Sequence, residues 1–234
     1  MKSYPTKFAL EVLRSFSDAT TQLKDQGLWT PALTLEQLDS ALSPQQKQIV
    51  AQILKLNPAD YGVTTHYIGM EPVPSDLAIV SGQQYMEDWD TQALADKYVP
   101  RPIYDAFVRM DQAFQADHPN RRLLIESGYR SPAWQIITFV NWCANAYEGD
   151  IATTIRHASP PAYSQHTIAS KTALDIKNID GSPDNEHPEN FKDTVEYRWL
   201  REHANEFGFY ESWPEGNTFG MRAEPWHWQY LGSK

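Results

Sequence analysis

A single cysteine, Cys143, stands in a chain of 234 residues. One thiol cannot form an internal disulfide framework, and it cannot build a Cys-rich zinc site. The chain must therefore hold itself together by burying apolar surface. Its composition allows that: 41% of the residues are hydrophobic, and 8 Trp, 12 Tyr and 9 Phe supply large side chains, which argues against disorder. A folded chain of this length buries roughly 70–75% of the surface its unfolded form exposes. No apolar run reaches the ~20 residues of a membrane span. Twenty basic against thirty acidic residues give a formal charge of −10, the wrong sign for a general nucleic-acid binder. Between Met1 and Leu23, the charged residues Lys2, Lys7, Glu11, Arg14 and Asp18 leave no apolar block of signal-peptide length. As written, the chain is expected in the cytoplasm, or at the cell envelope if a signal was removed or another export route serves.

The pattern from Lys7 to Leu56 is helical, with Phe8, Val12 and Phe16 four residues apart. Ser43-Pro44-Gln45-Gln46 supplies an N-cap, a proline at the first helical position and a capping-box glutamine. Ile49, Ile53 and Leu56 then form an apolar stripe. Gly69 to Ser75 carries two prolines and reads as a connector. Residues 1–87 thus read as a mainly helical extension, and residues 88–234 as the domain that carries the chemistry.

In that second part, Pro102 opens a helix with Ile103, Phe107, Met110 and Phe114 on one face, ending before Pro119. Leu123 to Ile125 is a short buried strand. Ser131 caps a helix that begins at Pro132 and buries Ile136, Phe139, Val140 and Cys143, which places Cys143 in the core rather than at a reaction centre. Ala173 to Ile176 reads as a strand, and Val195 to Phe207 as a helix ended by Gly208. A hairpin is expected from Phe209–Trp213 and Thr218–Met221 around Pro214-Glu215-Gly216-Asn217. Trp226 to Leu231 reads as a closing strand. Helices mixed with short, turn-linked strands indicate an α+β fold.

The chain contains no HExxH, GxSxG, phosphate loop or CxxC pair. Three polar clusters remain. They are Glu126-Ser127-Gly128-Tyr129-Arg130-Ser131, Ser164-Gln165-His166 followed by Ala173-Leu174-Asp175-Ile176, and Glu224-Pro225-Trp226-His227-Trp228-Gln229-Tyr230. In the last, strand alternation puts Trp226, Trp228 and Tyr230 on one face and His227 on the other. A sheltered His beside Glu224 suits zinc hydrolysis, and it equally suits an amphipathic strand whose His is satisfied by hydrogen bonds. His166 and Asp175 would add a nitrogen and an oxygen to His227, making three protein ligands with an open fourth position. Alternatively, Asp175 caps a turn and His166 is a loop histidine, in which case Glu186 or His157 would complete the site.

The order ESGYRS, SQH with ALDI, then EPWHWQY resembles the zinc D-alanyl-D-alanine carboxypeptidases of the VanY type. They belong to the metallopeptidase group named for lysostaphin, D-Ala-D-Ala carboxypeptidases and sonic hedgehog. The resemblance spans roughly residues 88 to 234 and implies a small antiparallel sheet flanked by helices. Matched to the family's SxHxxGxAxD and ExWH patterns, it implies one zinc ion per chain held by His166, Asp175 and His227. Glu224 would be the general base. Arg130 would meet the substrate's carbonyl or carboxylate, with Gln135 and Ser164 lining the substrate pocket. The interval from His166 to Asp175 is two steps longer than the family pattern, and Ala169 and Ser170 stand near the position of its glycine. The expected partner is a peptidoglycan stem peptide, and the expected reaction is release of a terminal D-Ala. The alternatives are an L,D- or D,D-endopeptidase, or a metal-binding module of the same fold that has lost catalysis.

Overall fold

A computed structural model of the chain describes residues 5–184 and 187–232. In chain order its elements are α1 (Leu10–Arg14), α2 (Phe16–Asp25), α3 (Leu35–Ala41), α4 (Pro44–Ile53), β1 (Leu77–Val80), β2 (Gln84–Glu87), β3 (Asp90–Ala93), β4 (Lys97–Pro100), α5 (Arg101–Asp117), β5 (Leu123–Ser127), α6 (Pro132–Asn145), α7 (Ile151–His157), β6 (Ala173–Asn178), α8 (Val195–His203), β7 (Phe209–Glu211) and β8 (His227–Tyr230). The fold is α+β. No helix among the described residues is long and apolar enough to cross a membrane. The chain divides into two compact units, one formed by the segment up to Val73 with Arg130–Ile168 and Thr218–Arg222, the other by Pro74–Tyr129, Ala169–Asn217 and the segment from Ala223.

The first unit is helical, and local signals explain where its helices start. Thr34 with Gln37 caps α3, and Ser43 with Gln46 caps α4 behind Pro44, each as a complete capping box. Each box satisfies two backbone donors that a helix end would otherwise leave open. The Gln46 amide also donates to the Ser15 carbonyl at 2.8 Å, which ties α4 to the junction of α1 and α2. Leu13, Phe16, Leu23, Leu38 and Ile53 are fully buried. Helix α6 belongs to this unit. Its cap Ser131 accepts from Trp134 N, donates through Oγ to the Leu33 carbonyl, and donates its own N–H to the Pro31 carbonyl. The N-terminal segment thus holds the residue that follows Arg130.

The second unit is built on an antiparallel sheet of order β5-β6-β8-β7. All six residues of β6 are buried, and its two faces have different chemistry. Leu174 and Ile176 join Leu123, Ile125, Phe209 and Trp228 in a core against Ile103, Phe107, Met110 and Phe114 of α5 and Trp199 and Leu200 of α8. Asp175 and Lys177 take the alternate positions, so they share the opposite face. A buried charge needs partners. The Lys177 ammonium donates to the Pro183 carbonyl at 2.6 Å and lies 4.5 Å from the centre of the Tyr85 ring. Gly208, at φ 89°, stops the helical turn after α8 in the left-handed conformation that glycine adopts without steric cost.

The hairpin expected between Phe209–Trp213 and Thr218–Met221 does not form. β7 pairs with β8, Phe209 opposite Tyr230 and Glu211 opposite Trp228. Thr218–Arg222 belongs to the helical unit, where the Phe219 carbonyl accepts from Thr64 N at 2.8 Å and Arg222 N donates to the Arg156 carbonyl at 3.1 Å. Those backbone groups are engaged elsewhere, while Phe209, fully buried, is drawn into the core.

Candidate metal and active site

β5 ends in a bulge between Ile125 and Ser127, after which Ser127 lies opposite Asp175. The chain then passes close to β4. Tyr129 N donates to the Tyr98 carbonyl at 2.6 Å, and a Cβ on Gly128 would lie 2.5 Å from that oxygen and 2.9 Å from Val99 Cγ2. Only glycine fits this approach. Gly128→Ala is expected to cost about 1–3 kcal/mol, the usual range for overpacking, read as a lower urea midpoint with an unchanged m-value.

Arg130 follows at once. Its N–H donates to the His166 carbonyl at 3.0 Å, and its Nη1 donates to Gln135 Oε1 at 3.1 Å. The other end of the Gln135 amide donates to the Ser159 carbonyl at 2.9 Å, and Gln135 is buried. Gln135 therefore orients the guanidinium with one end of its amide and is anchored by the other. Ser164 is buried and starts the single 3-10 turn Gln165–Thr167 that carries His166. Thr167 Oγ1 pins this turn to the Pro161 and Ser164 carbonyls at 3.0 and 2.7 Å. A second 3-10 turn, Ala169–Lys171, fills the interval before β6. Two tight turns thus occupy the long His166–Asp175 spacing.

Asp175 sits in the middle of β6, directly opposite His227 on β8. Directly opposed residues of an antiparallel pair project to the same face, and here Asp175 Oδ1 and His227 Nδ1 are 2.9 Å apart. Trp213 lies over the imidazole, with ring centres 6.2 Å apart and planes at 28°. Glu224 precedes the strand in a turn closed by His227 N donating to the Glu224 carbonyl at 3.0 Å, and Glu224 N donates to the Trp213 carbonyl at 2.9 Å. Its Oε2 is 3.8 Å from His227 Nδ1, a contact too long for a hydrogen bond.

His166, Asp175 and His227 are all buried, each offers one ligand atom, and these atoms lie within 4.8 Å of one another. They form the one such group among the described residues. Donors at 2.0–2.2 Å from a tetrahedral zinc stand roughly 3.3–3.6 Å apart. The Asp175–His227 pair is a little closer than that and the whole set a little wider, so shifts of about an ångström would seat the ion. Two imidazoles and one carboxylate are also the donor chemistry zinc takes at sites that keep a position open.

The alternative ligand His157 is outside this group. Its ring packs on Tyr147 with centres 4.9 Å apart, its Nδ1 is buried without a hydrogen-bond partner, and burial, then Arg222 and Arg156, lower its pKa. Glu186, the other alternative, lies outside the described residues. Cys143 is fully buried, and burial raises its thiol pKa, which suits a core residue. Sequence reasoning missed Trp213, the wall over His227, because nothing local marks its partner. It also missed Lys177, although strand alternation from Asp175 points to it.

A family model described as VanY, D-alanyl-D-alanine carboxypeptidase, matches residues 96–233. The putative carboxypeptidase YodJ of Bacillus subtilis (strain 168) is 28% identical over 163 residues, which are 69% of this chain and 55% of YodJ. The chain thus spans just over half the length of that curated relative. Among solved structures, the LdcB LD-carboxypeptidase is 26% identical with a TM-score of 0.53, over 76% of this chain and 79% of that one. The Zn(II) complex of the vancomycin-resistance D,D-pentapeptidase VanY is 22% identical with a TM-score of 0.47, over 74% of this chain and 89% of that one.

Proposed function

Since the chain belongs to the VanY family of D-alanyl-D-alanine carboxypeptidases, we propose that it hydrolyses a peptide bond in peptidoglycan stem peptides, releasing a terminal D-Ala, with one zinc ion held by His166, Asp175 and His227. The observation that carries this reading is the buried His/Asp/His group together with a carboxylate, Glu224, close by and too far from His227 Nδ1 for a hydrogen bond. Zinc, when bound at such a site, supplies a Lewis acid that polarises a carbonyl and brings the pKa of water towards ~7.

The remaining work falls to side chains. Glu224 accepts the proton of the attacking water and returns it to the departing amine, a role that needs a carboxylate near the reacting atoms but not bound to the metal. Arg130 meets negative charge on the substrate, either the terminal carboxylate or the carbonyl oxygen as charge develops there. A guanidinium held in place stabilises that charge without having to reorganise during the reaction. Gln135 supplies the hold on Arg130, and Ser164 starts the turn that presents His166. A base and an oriented cation beside a metal-ligand set favour an enzyme over a binding module, which needs neither.

Arg130→Ala is expected to lower kcat about 100-fold, the scale for losing one preorganised electrostatic donor. Arg130→Lys should recover little of this, because an ammonium lacks the planar fork that Gln135 orients. Steady-state kinetics on one peptide substrate decide it, and full activity in the Lys variant would reduce Arg130 to a surface charge.

The likeness to an LD-carboxypeptidase supports a second reading, removal of D-Ala from a tetrapeptide rather than a pentapeptide. Mass spectrometry of the products from a panel of tetra- and pentapeptides and crosslinked fragments, with and without chelator, separates the readings. A single residue lost from the pentapeptide alone marks a D,D-carboxypeptidase, and loss from the tetrapeptide an L,D-carboxypeptidase. Internal cleavage marks an endopeptidase. Metal binding without any product would leave only the lapsed module.

A further inference from the structure

β5 is an edge strand of the four-stranded sheet, and an edge strand presents a row of unpaired backbone groups. Side chains cover this edge. The Gln83 amide accepts from Ile125 N at 2.8 Å and donates to the Ile125 carbonyl at 3.0 Å, as a neighbouring strand would. Asp111 Oδ1 accepts from Leu123 N at 2.8 Å. Beyond these two residues a cleft of about 720 Å³ opens between α5, the segment leading into β2 and the start of β5. That size holds a small molecule or one unit of a larger one.

The lining chemistry narrows the ligand. Gln83, Gln112 and Gln115 present amides, Tyr104 a ring, and Arg122 a guanidinium opposed by Asp111. Asp111 is already committed: its Oδ2 accepts from Gln115 Nε2 at 2.8 Å and from Arg122 at 3.4 Å. One cation and one engaged anion leave the cleft with no net charge to select an ion. Amides that both donate and accept, beside an aromatic ring, match a neutral ligand rich in hydroxyl and acetamido groups. A peptide pairing as an extra strand is disfavoured, because Gln83 and Asp111 already occupy the backbone groups it would need.

Distance supplies the second argument. Leu124, in the cleft lining, is three residues before Ser127, which lies opposite Asp175. Three strand residues cover about 10 Å. An extended peptide of three or four residues spans about 10–14 Å. A stem peptide cut at Asp175 and His227 would therefore bring its N-terminal end, where the sugar is attached, to this cleft. We infer that the cleft is a saccharide subsite that takes the sugar bearing the stem peptide, an inference that rests on the peptidoglycan reading above.

Two measurements test it. The first titrates the peptide-free disaccharide of N-acetylglucosamine and N-acetylmuramic acid into the full chain and follows the glutamine side-chain amide signals by NMR. The second compares kcat/KM for a disaccharide-linked peptide and the same peptide free. Saturable shifts are expected, together with about a tenfold preference for the linked substrate, the worth of one or two hydrogen bonds. The double variant Gln112→Ala with Arg122→Ala, whose sites are both exposed, should lose the shifts and the preference and keep its rate on free peptide. Equal rates of the wild type on both substrates, or shifts that survive the double variant, would overturn the subsite while leaving the carboxypeptidase reading intact. Saccharide binding without turnover of either peptide would support the cleft and overturn the hydrolytic reading.

Discussion

Glu224→Gln should lower kcat by about 100- to 10,000-fold, the range over which general-base assistance contributes, while metal content and fold stay as in the wild type. The substitution keeps the side chain's shape and removes its capacity to take a proton. Geometry makes the separation clean. Glu224 Oε2 stands 3.8 Å from His227 Nδ1, whereas Asp175 Oδ1 stands at 2.9 Å, so metal retention rests on Asp175 and not on Glu224. The main-chain contacts of Glu224, to the Trp213 carbonyl and from His227 N, do not involve its carboxylate and persist in the variant. Metal analysis, circular dichroism and turnover on a D-Ala-terminated peptide give the three readouts. Near-normal turnover would remove Glu224 from the mechanism. Loss of metal together with activity would instead make it a ligand.

The parts of the fold legible in the sequence were those whose signal is local. Pro44, Pro102 and Pro132 mark the starts of α4, α5 and α6 because a proline in the first turn costs no hydrogen bond. The apolar residues of α5 recur on one face, and that face is the one buried against the sheet. Asp175 and His227 could be placed on strands by their apolar neighbours. What escaped has no local signature. The β2–β3 hairpin turns at Asp88-Trp89 with φ of 49° and 71°, positions usually marked by glycine or asparagine, so nothing in the sequence announces it. α7 begins at Asp150, which accepts from Thr153 N at 2.7 Å. Its seven residues are too few for an apolar period to stand out. The mistaken hairpin arose because a turn signal at Pro214–Asn217 cannot reveal that a more distant strand, β8, pairs better with Phe209. Strand pairing depends on the whole sheet, and turn chemistry on a few residues.

For the site, the residue types were readable and their mutual placement was not. Asp175 and His227 come from strands 52 positions apart, and only sheet register makes them neighbours. Arg130 could be read as a candidate, but its orientation depends on Gln135, which depends in turn on the Ser159 carbonyl. The alternation of β6 joins these levels. One strand contributes Leu174 and Ile176 to the core and Asp175 to the site, so a change that shifted its register by one residue would damage both at once.

Asp175→Ala should abolish the stabilisation that zinc gives the protein. A ligand bound only by the folded state stabilises it by about 4 kcal/mol when present at a thousandfold its Kd. A chain of this size responds by about 2–4 °C per kcal/mol, so the wild type should melt roughly 8–16 °C higher with zinc than with chelator. Losing one of three protein donors removes the open tetrahedral arrangement, and two imidazoles alone bind the ion far more weakly. The variant should therefore melt at nearly the same temperature in zinc and in chelator. Its turnover should fall at least as far as that of Glu224→Gln, since the charge stabilisation contributed by the metal is lost with the ion. Two controls make the test specific. His157→Ala, at the histidine outside the group, should keep the full zinc-dependent shift. Glu186→Ala, at the acid that the sequence offered as a rival, should keep it too. An Asp175→Ala protein that retains one zinc per chain and the full shift, with Glu186→Ala losing both, would move the oxygen ligand from the strand to the polar run SPDNEHPEN.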